Sequence, residues 1–298
     1  MHSKLAGVAL AIAAVVGVNS PAQADVVHDW NIEALRVTFN VGPPQARVLA
    51  IVHVAMHDAI NAVTGEYETY APKVAVPPVT SATAAGAAAA HRVLVTLFPQ
   101  MTDAYNQALN TSLAPISEPA RTNGVLVGRD VGDAILALRA HDGFGDPASY
   151  TPGSGPGAWV PTPPAFAPAL LPGFGRVVPF ALRTGSQFRP DGPPALDSDR
   201  YAADLNEVKA VGSIGAEAAG LRTHEQTATA RFWLGNTIPI VQLIARRVST
   251  DAPLSESANA RFFALMSIAG LDAYIATWDA KYAVERGKNL VGAERRLR

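Results

Sequence analysis

The chain has 298 residues, 49% of them hydrophobic and 16% charged, with a formal net charge of −1. That is enough apolar side chain for one large core or two small ones. The near-neutral balance excludes recognition of nucleic acid or an anionic membrane by bulk electrostatics, since both need a basic excess. Cysteine is absent, so disulfides, thiolate metal sites and a cysteine nucleophile are excluded and stability has to come from the core.

At the N-terminus Lys4 supplies a positive start, Leu5 to Val18 an apolar run and Ala22-Gln23-Ala24 a small-residue cleavage site. This pattern predicts a signal peptide over 1–24, a mature protein beginning at Asp25, and a secreted or periplasmic location. The apolar run is shorter than the roughly 20 residues of a membrane span, and Pro21 follows it. No membrane association is expected after cleavage. No second span is expected either, because the last long helix carries Gly270 and Asp272 inside its apolar run.

A short helix is predicted from Trp30, ended by Pro43-Pro44. The next covers Gln45 to Thr64, with Val48, Leu49, Val52, Ala55, Met56, Ala59, Ile60 and Val63 as an apolar stripe and Gly65 as C-cap. Ser81 caps an alanine-rich helix that stops at Phe98-Pro99, and a further segment runs from Thr102 to Leu113. Ser117 opens a long helix reaching Asp142-Gly143, in which Gly124, Gly128 and Gly132 recur every four residues. Glycine costs about 1 kcal/mol per helical position relative to alanine, so this bare strip predicts the close approach of another backbone.

From Gly143 to Asp199 regular structure should be scarce, since about half of the 23 prolines fall there. A loop of this length inside a domain is functional or a linker. The interleaved Trp159, Phe166, Phe174, Phe180 and Phe188 predict that it wraps against the helices. Helices resume at Tyr201 to Val211, after a Thr223-His-Glu-Gln226 capping box up to Leu234, and at Ile240 to Val248. Ser255 caps the last one, which runs to Tyr282. Phe262, Leu265, Met266, Ala269, Ala273 and Ala276 share one face and Phe263, Ile268, Leu271, Ile275 and Trp278 the next, so this helix is expected to be buried on most sides. Asp272 and Asp279 share a face, and Lys281 sits at the C-terminal end, where helix carbonyls favour a cation. The fold class is therefore all-α, a helical bundle with one long Pro/Gly-rich irregular segment.

Few residues offer chemistry by spacing alone. His53 and His57 stand four apart on a helix, a spacing that can place two imidazoles on one metal, but a zincin motif needs Glu where Val54 stands and no third ligand follows. The structural reading is that one of them bonds within the bundle and the other faces solvent; no metal site is assigned. His91, Arg92 and His224 read as packing or surface residues. Gly153-Ser-Gly-Pro-Gly157 has no following Lys-Ser/Thr and no preceding strand, so it is not a phosphate loop. No Gly-x-Ser-x-Gly context occurs. Lys281, taken alone, reads as a solvated charge.

Several stretches together resemble the bacterial vanadium-dependent haloperoxidase-like proteins of the PAP2 phosphatase superfamily. They are Val27-His-Asp-Trp-Asn31, Ala46-Arg-Val-Leu-Ala-Ile-Val-His-Val-Ala-Met-His-Asp-Ala-Ile-Asn-Ala62, Ala90-His-Arg-Val-Leu94, Leu138-Arg-Ala-His-Asp-Gly143, Gly157-Ala-Trp-Val-Pro-Thr-Pro-Pro164, Gln187-Phe-Arg-Pro190, Arg222-Thr-His-Glu-Gln226, Asn259-Ala-Arg-Phe-Phe-Ala-Leu265 and Trp278-Asp-Ala-Lys-Tyr282. The resemblance implies an all-α fold, a small oxyanion (vanadate or phosphate) as cofactor or substrate, and either halide oxidation by peroxide or phosphomonoester hydrolysis. It also implies that Lys281 matches the lysine that opens the anion site. In the family six residues separate that lysine from Arg-Pro, and Pro-Ser-Gly-His and Ser-Arg-(five residues)-His segments complete the site. Lysine and arginines neutralise the oxyanion, one histidine binds or attacks it and another moves a proton.

Here Lys288 and Asn289 stand where Arg-Pro is expected, and neither histidine segment occurs in the sequence. The chain thus reads as a helical domain over 25–282 resembling the N-terminal half of such enzymes, followed by an unrelated charged tail over 283–298. It is expected to be truncated before the main catalytic motifs, with no catalytic residue assigned, Lys281 as the one member of an incomplete vanadate or phosphate site, and no vanadate bound by this chain alone. Its expected partner is a complementary C-terminal half or a second copy. The alternative is a non-catalytic secreted helical binding or scaffold protein.

Overall fold

A computed structural model describes residues 25–36, 42–154, 156–252 and 254–286. Among these residues there are nine α-helices and no strand: α1 (Val26–Arg36), α2 (Pro43–Thr64), α3 (Ala82–Leu97), α4 (Thr102–Leu113), α5 (Ala120–Arg139), α6 (Asp199–Val211), α7 (His224–Phe232), α8 (Thr237–Asp251) and α9 (Glu256–Arg286). The fold is all-α, as the periodicity predicts. The signal peptide and most of the charged tail fall outside the described residues.

Local chemistry sets most helix boundaries. Ser81 Oγ accepts the Ala84 N–H, Ser198 Oγ the Tyr201 N–H and Ser255 Oγ the Ala258 N–H. Thr223 and Gln226 form the reciprocal capping box. Gly65 closes α2 in the left-handed conformation, at φ 67°. Two starts differ from expectation. α1 begins at Val26 rather than Trp30, because Asp25 Oδ1 accepts the Val27 N–H at 2.8 Å and acts as its cap. α2 begins at Pro43 rather than Gln45, since proline in the first turn forfeits only an N–H that would have no helical partner.

α2 is the central element. Its residues from Gln45 to Asn61 are all buried, and it packs on α3, α5 and α9. The glycine strip of α5 lies on α3 as predicted. A Cβ at Gly124 would come 2.6 Å from Ser81 O, and one at Gly128 2.2 Å from Ala85 O. Only bare backbone allows that approach.

Segment 143–198 wraps the bundle and is held by side chains from the helices. Phe174 and Phe180 are buried within it, whereas Phe166 and Phe188 stay exposed, so only part of its aromatic content serves as an anchor. Asp142, at its start, accepts from Arg47 at 2.8 Å and from Arg139 at 2.8 Å. The Arg139 guanidinium also donates to Val178 O and lies 4.2 Å from the centroid of the Phe180 ring. On the other side, Asp58 of α2 accepts the Tyr70 and Ala71 N–H groups at 2.8 and 2.7 Å. Burial pushes the Asp58 carboxyl above its usual range, and those two bonds oppose the shift.

α9 corrects an expectation. Its buried stripe is Ala260, Phe263, Ala264, Ser267, Leu271, Ile275 and Asp279, while Leu265 is 49% exposed and Ala269 and Ala273 are also exposed. The helix is therefore buried on one side only, and the apolar face through Leu265 and Ala273 is open. The reason is that α9 is covered by α2 and by the wrapping segment and by little else. By length and composition α2 and α9 both qualify as membrane spans, contrary to the expectation that Asp272 excludes the second. That carboxylate is turned inward onto the wrap, so its charge does not break the outer apolar surface. α2 is mostly buried inside the protein.

Candidate functional site

The C-terminal half of α9 is where the sequence places its one anion ligand, and there the helix grips the wrapping segment. Asp272 accepts three consecutive backbone N–H groups, from Phe180, Ala181 and Leu182, at 2.8, 2.8 and 2.9 Å. Two turns on, Asp279 takes Arg189 through two parallel bonds of 2.8 and 2.9 Å, the bidentate geometry that fixes a guanidinium plane. This pairing raises the Arg189 pKa above its ordinary value. Gly175 passes so close to α9 that a Cβ there would lie 2.4 Å from Asp279 N. Trp278 Nε1 and Tyr282 Oη both donate to Leu170 O, at 3.1 and 2.7 Å. The shared face of Asp272 and Asp279 was visible in the sequence. Their partners were not, because nothing in the spacing of a proline-rich loop says where it returns to the helix.

Lys281 lies in this neighbourhood. Its Nζ sits 5.3 Å from the Trp278 ring centroid and 5.5 Å from that of Tyr282, and the side chain is half-buried. The solvated reading is thus corrected: the ammonium lies against two aromatic faces, where the ring quadrupoles attract it. Tyr282 is in turn edge-on to Tyr150, which is edge-on to Trp159, so the lysine sits at the margin of an aromatic cluster.

A tetrahedral oxyanion with several charged oxygens needs several donors converging on one point. Arg189, the nearby guanidinium, is committed to Asp279, and the motif segments that would add arginines and histidines are missing from the sequence.

The histidines lie elsewhere. His53 is fully buried, with Nε2 2.9 Å from Asn31 Nδ2, and Asn31 donates on to Gln242 Oε1 at 2.7 Å. Burial pushes its pKa down to about 3, helped by His28, so it is a neutral acceptor. His57 Nε2 donates to Glu68 O at 3.1 Å, and this residue too is buried; neither histidine faces solvent, which corrects the expectation for the pair. Among the described residues no three His, Asp or Glu side chains gather as a metal site. His91 meets Asn106 Oδ1 at 2.8 Å and exposed His224 meets Glu217 at 3.0 Å, both as structural contacts between neighbouring segments.

One Ser–His contact escaped the sequence reading, because its members lie 221 positions apart: His28 Nε2 approaches Ser249 Oγ at 2.9 Å. It is not an activated nucleophile. Ser249 donates its proton to Asn259 Oδ1 at 2.6 Å, and the nearest carboxylate, Asp25, lies 3.9 Å from the same Nε2 rather than on Nδ1, where an orienting acid acts.

A bacterial vanadium-dependent iodoperoxidase superposes with a TM-score of 0.71 at 22% identity, over 87% of this chain and 68% of its own. The holo form of a bacterial vanadium-dependent chloroperoxidase superposes with a TM-score of 0.55 at 19% identity, over 83% of this chain and 63% of its own. The chain thus spans about two thirds of the length of either enzyme. No protein-family model matches it, and no curated protein does. The helical fold of this chain is that of the bacterial vanadium-dependent haloperoxidases.

Proposed function

We propose that this chain is the helical scaffold part of a vanadium-haloperoxidase or PAP2-phosphatase-type protein, carrying Lys281 as one donor of an oxyanion site whose other donors it does not supply, and that alone it is inactive. The observation that carries the reading is the placement of Lys281. It stands in the last two turns of a helix locked by Asp272 and Asp279 onto the wrapping segment, in a fold shared with two vanadium-dependent peroxidases, while Arg-Pro does not follow it at the family spacing and neither histidine segment occurs in the sequence. The exposure of Leu243, Ile244 and Val248 of α8 and of Leu265 of α9 supports the packing of a complementary polypeptide on this face.

The competing reading, a non-catalytic helical binding or scaffold protein, is favoured by the structural commitment of Asp272 and Asp279 of α9 to the wrapping segment and of Arg189 to Asp279. Sequencing the DNA beyond codon 298 separates the two. The proposal expects a reading frame encoding Arg-Pro, Pro-Ser-Gly-His and Ser-Arg-(five residues)-His segments. Its product, co-expressed with this chain, should give peroxide-dependent iodide oxidation or phosphatase activity that Lys281→Ala removes. Absence of those segments in every frame leaves the binding-protein reading.

A further inference from the structure

α8 is built inside out. Leu243, Ile244 and Val248 stand exposed on its outer side, whereas the side turned to the bundle carries buried Gln242 and Ser249 and half-buried Arg246, beside Ile238 and Ala245. Its docking therefore depends on hydrogen bonds as much as on apolar burial. Arg246 donates to Asn31 Oδ1 of α1. Asn31 Nδ2 donates to Gln242 Oε1 of α8 at 2.7 Å and lies 2.9 Å from His53 Nε2 of α2. The directions of these bonds are fixed, because a guanidinium only donates. It takes the Asn31 oxygen, the amide nitrogen is left to face His53, and His53 Nε2 has to accept. The one proton of that ring is then on Nδ1, which is buried without a partner, so the latch closes at the cost of an unmet donor. Further along α8, Ser249 Oγ donates to Asn259 Oδ1 of α9 at 2.6 Å and lies 2.9 Å from His28 Nε2 of α1.

We propose that α8 is an acid-released flap: protonation of His53 breaks the bonds among His53, Asn31, Gln242 and Arg246 and frees α8 from the bundle while the other core helices stay folded. A proton added to Nε2 points an N–H at the Asn31 amide nitrogen, so donor faces donor. Asn31 cannot turn over to present its oxygen without presenting its N–H groups to Arg246, which has none to accept them. The surroundings offer no relief. The charged or titratable groups turned towards the ring are His28 from α1 and, across Asn31, Arg246 from α8, while α9 covers it with the Phe263 ring. Asp25 lies beside His28, 3.9 Å from its Nε2. Lifting α8 lets water reach His53, which satisfies Nδ1 and solvates the added charge. The sign follows from linkage. Burial holds the closed-state value down at about 3, and the wetted ring returns towards 6.5, so the closed form is favoured above pH 6.5 and loses ground as pH falls. Between pH 7 and 4.5 the open population should rise by up to about seventyfold. The flap is independent of the oxyanion reading at Lys281.

Hydrogen–deuterium exchange of the whole chain at pH 7 and pH 4.5 tests this, corrected for the intrinsic pH dependence of exchange and read on peptides from α8, with α3 as the internal reference. Protection of α8 should fall by about tenfold or more while that of α3 holds. In His53→Gln, whose side-chain oxygen accepts from Asn31 without titrating, the fall should vanish. Asn31→Asp gives protonated His53 and Arg246 a shared carboxylate, so α8 should stay protected at pH 4.5; this variant decides the matter if His53→Gln does not fold. Equal protection of α8 at the two pH values, loss of α3 protection together with that of α8, or the same fall in the folded variants as in the native chain would overturn the proposal.

Discussion

Replacing Asp272 by alanine tests how the wrapping segment is held. The carboxylate accepts three N–H groups, of which that of Phe180 is buried and those of Ala181 and Leu182 are partly so. An unpaired buried donor costs about 1–3 kcal/mol, and a bond to a charged group lies at the upper end. The Phe180 N–H should carry most of this, while the other two recover part of their loss from water. The expected destabilisation is therefore about 3–4 kcal/mol, a large share of the roughly 5–15 kcal/mol that a domain possesses. Asp272→Asn keeps one acceptor oxygen and should cost about half as much. Urea denaturation gives the totals. Limited trypsin digestion gives the place: in Asp272→Ala, cleavage after Arg176 and Arg183 should precede cleavage elsewhere, since the wrap is released before the bundle opens. A variant within about 0.5 kcal/mol of the native chain, with an unchanged digestion pattern, would refute the clamp.

The same glycine substitution should have opposite signs at two helices. Gly128→Ala drives a Cβ to 2.2 Å from Ala85 O and should cost about 2 kcal/mol or more, because backbone has to move. Gly270→Ala meets open space and should gain about 0.5–1 kcal/mol from helix propensity, both read by chemical denaturation. His53 predicts an acid limb. Its folded pKa lies near 3, below the unfolded 6.5, so the unfolded chain binds the extra proton and this contribution is complete above pH 6.5 and is lost as pH falls towards 3. The slope is at most about 1.4 kcal/mol per pH unit. His28 and Arg246 approach the same network from α1 and α8. Stability measured between about pH 6 and 4 should accordingly fall less steeply in His53→Gln than in the native chain; equal slopes would contradict the assignment.

Most of the scaffold was legible in the sequence because caps and periodicity are local. Ser81, Thr223 and Ser255 mark helix starts by the bonds they make, and the glycine repeat of α5 announced a close neighbour although not that it is α3. What was hidden depends on the return of distant chain. The Arg189–Asp279 fork, the three-fold Asp272 clamp and the His28–Ser249 contact join residues about 90 to 221 positions apart, and no local pattern encodes such pairings. The exposed face of α9 was misread for a related reason: periodicity tells how many apolar faces a helix has, while what covers each depends on where distant segments pack. The position of Lys281 near the end of α9 was legible from the helix pattern, its role as an anion ligand only from the resemblance to a family motif, and its contact with Trp278 and Tyr282 follows from helical spacing that a bare lysine does not advertise.

Titration of the purified chain with orthovanadate, followed by calorimetry, tests most directly whether Lys281 is one donor of an incomplete site. No saturable binding at micromolar vanadate and no halide oxidation on adding peroxide are expected. Micromolar binding that disappears in Lys281→Ala would contradict it, because the residues of this chain would then form a complete oxyanion site.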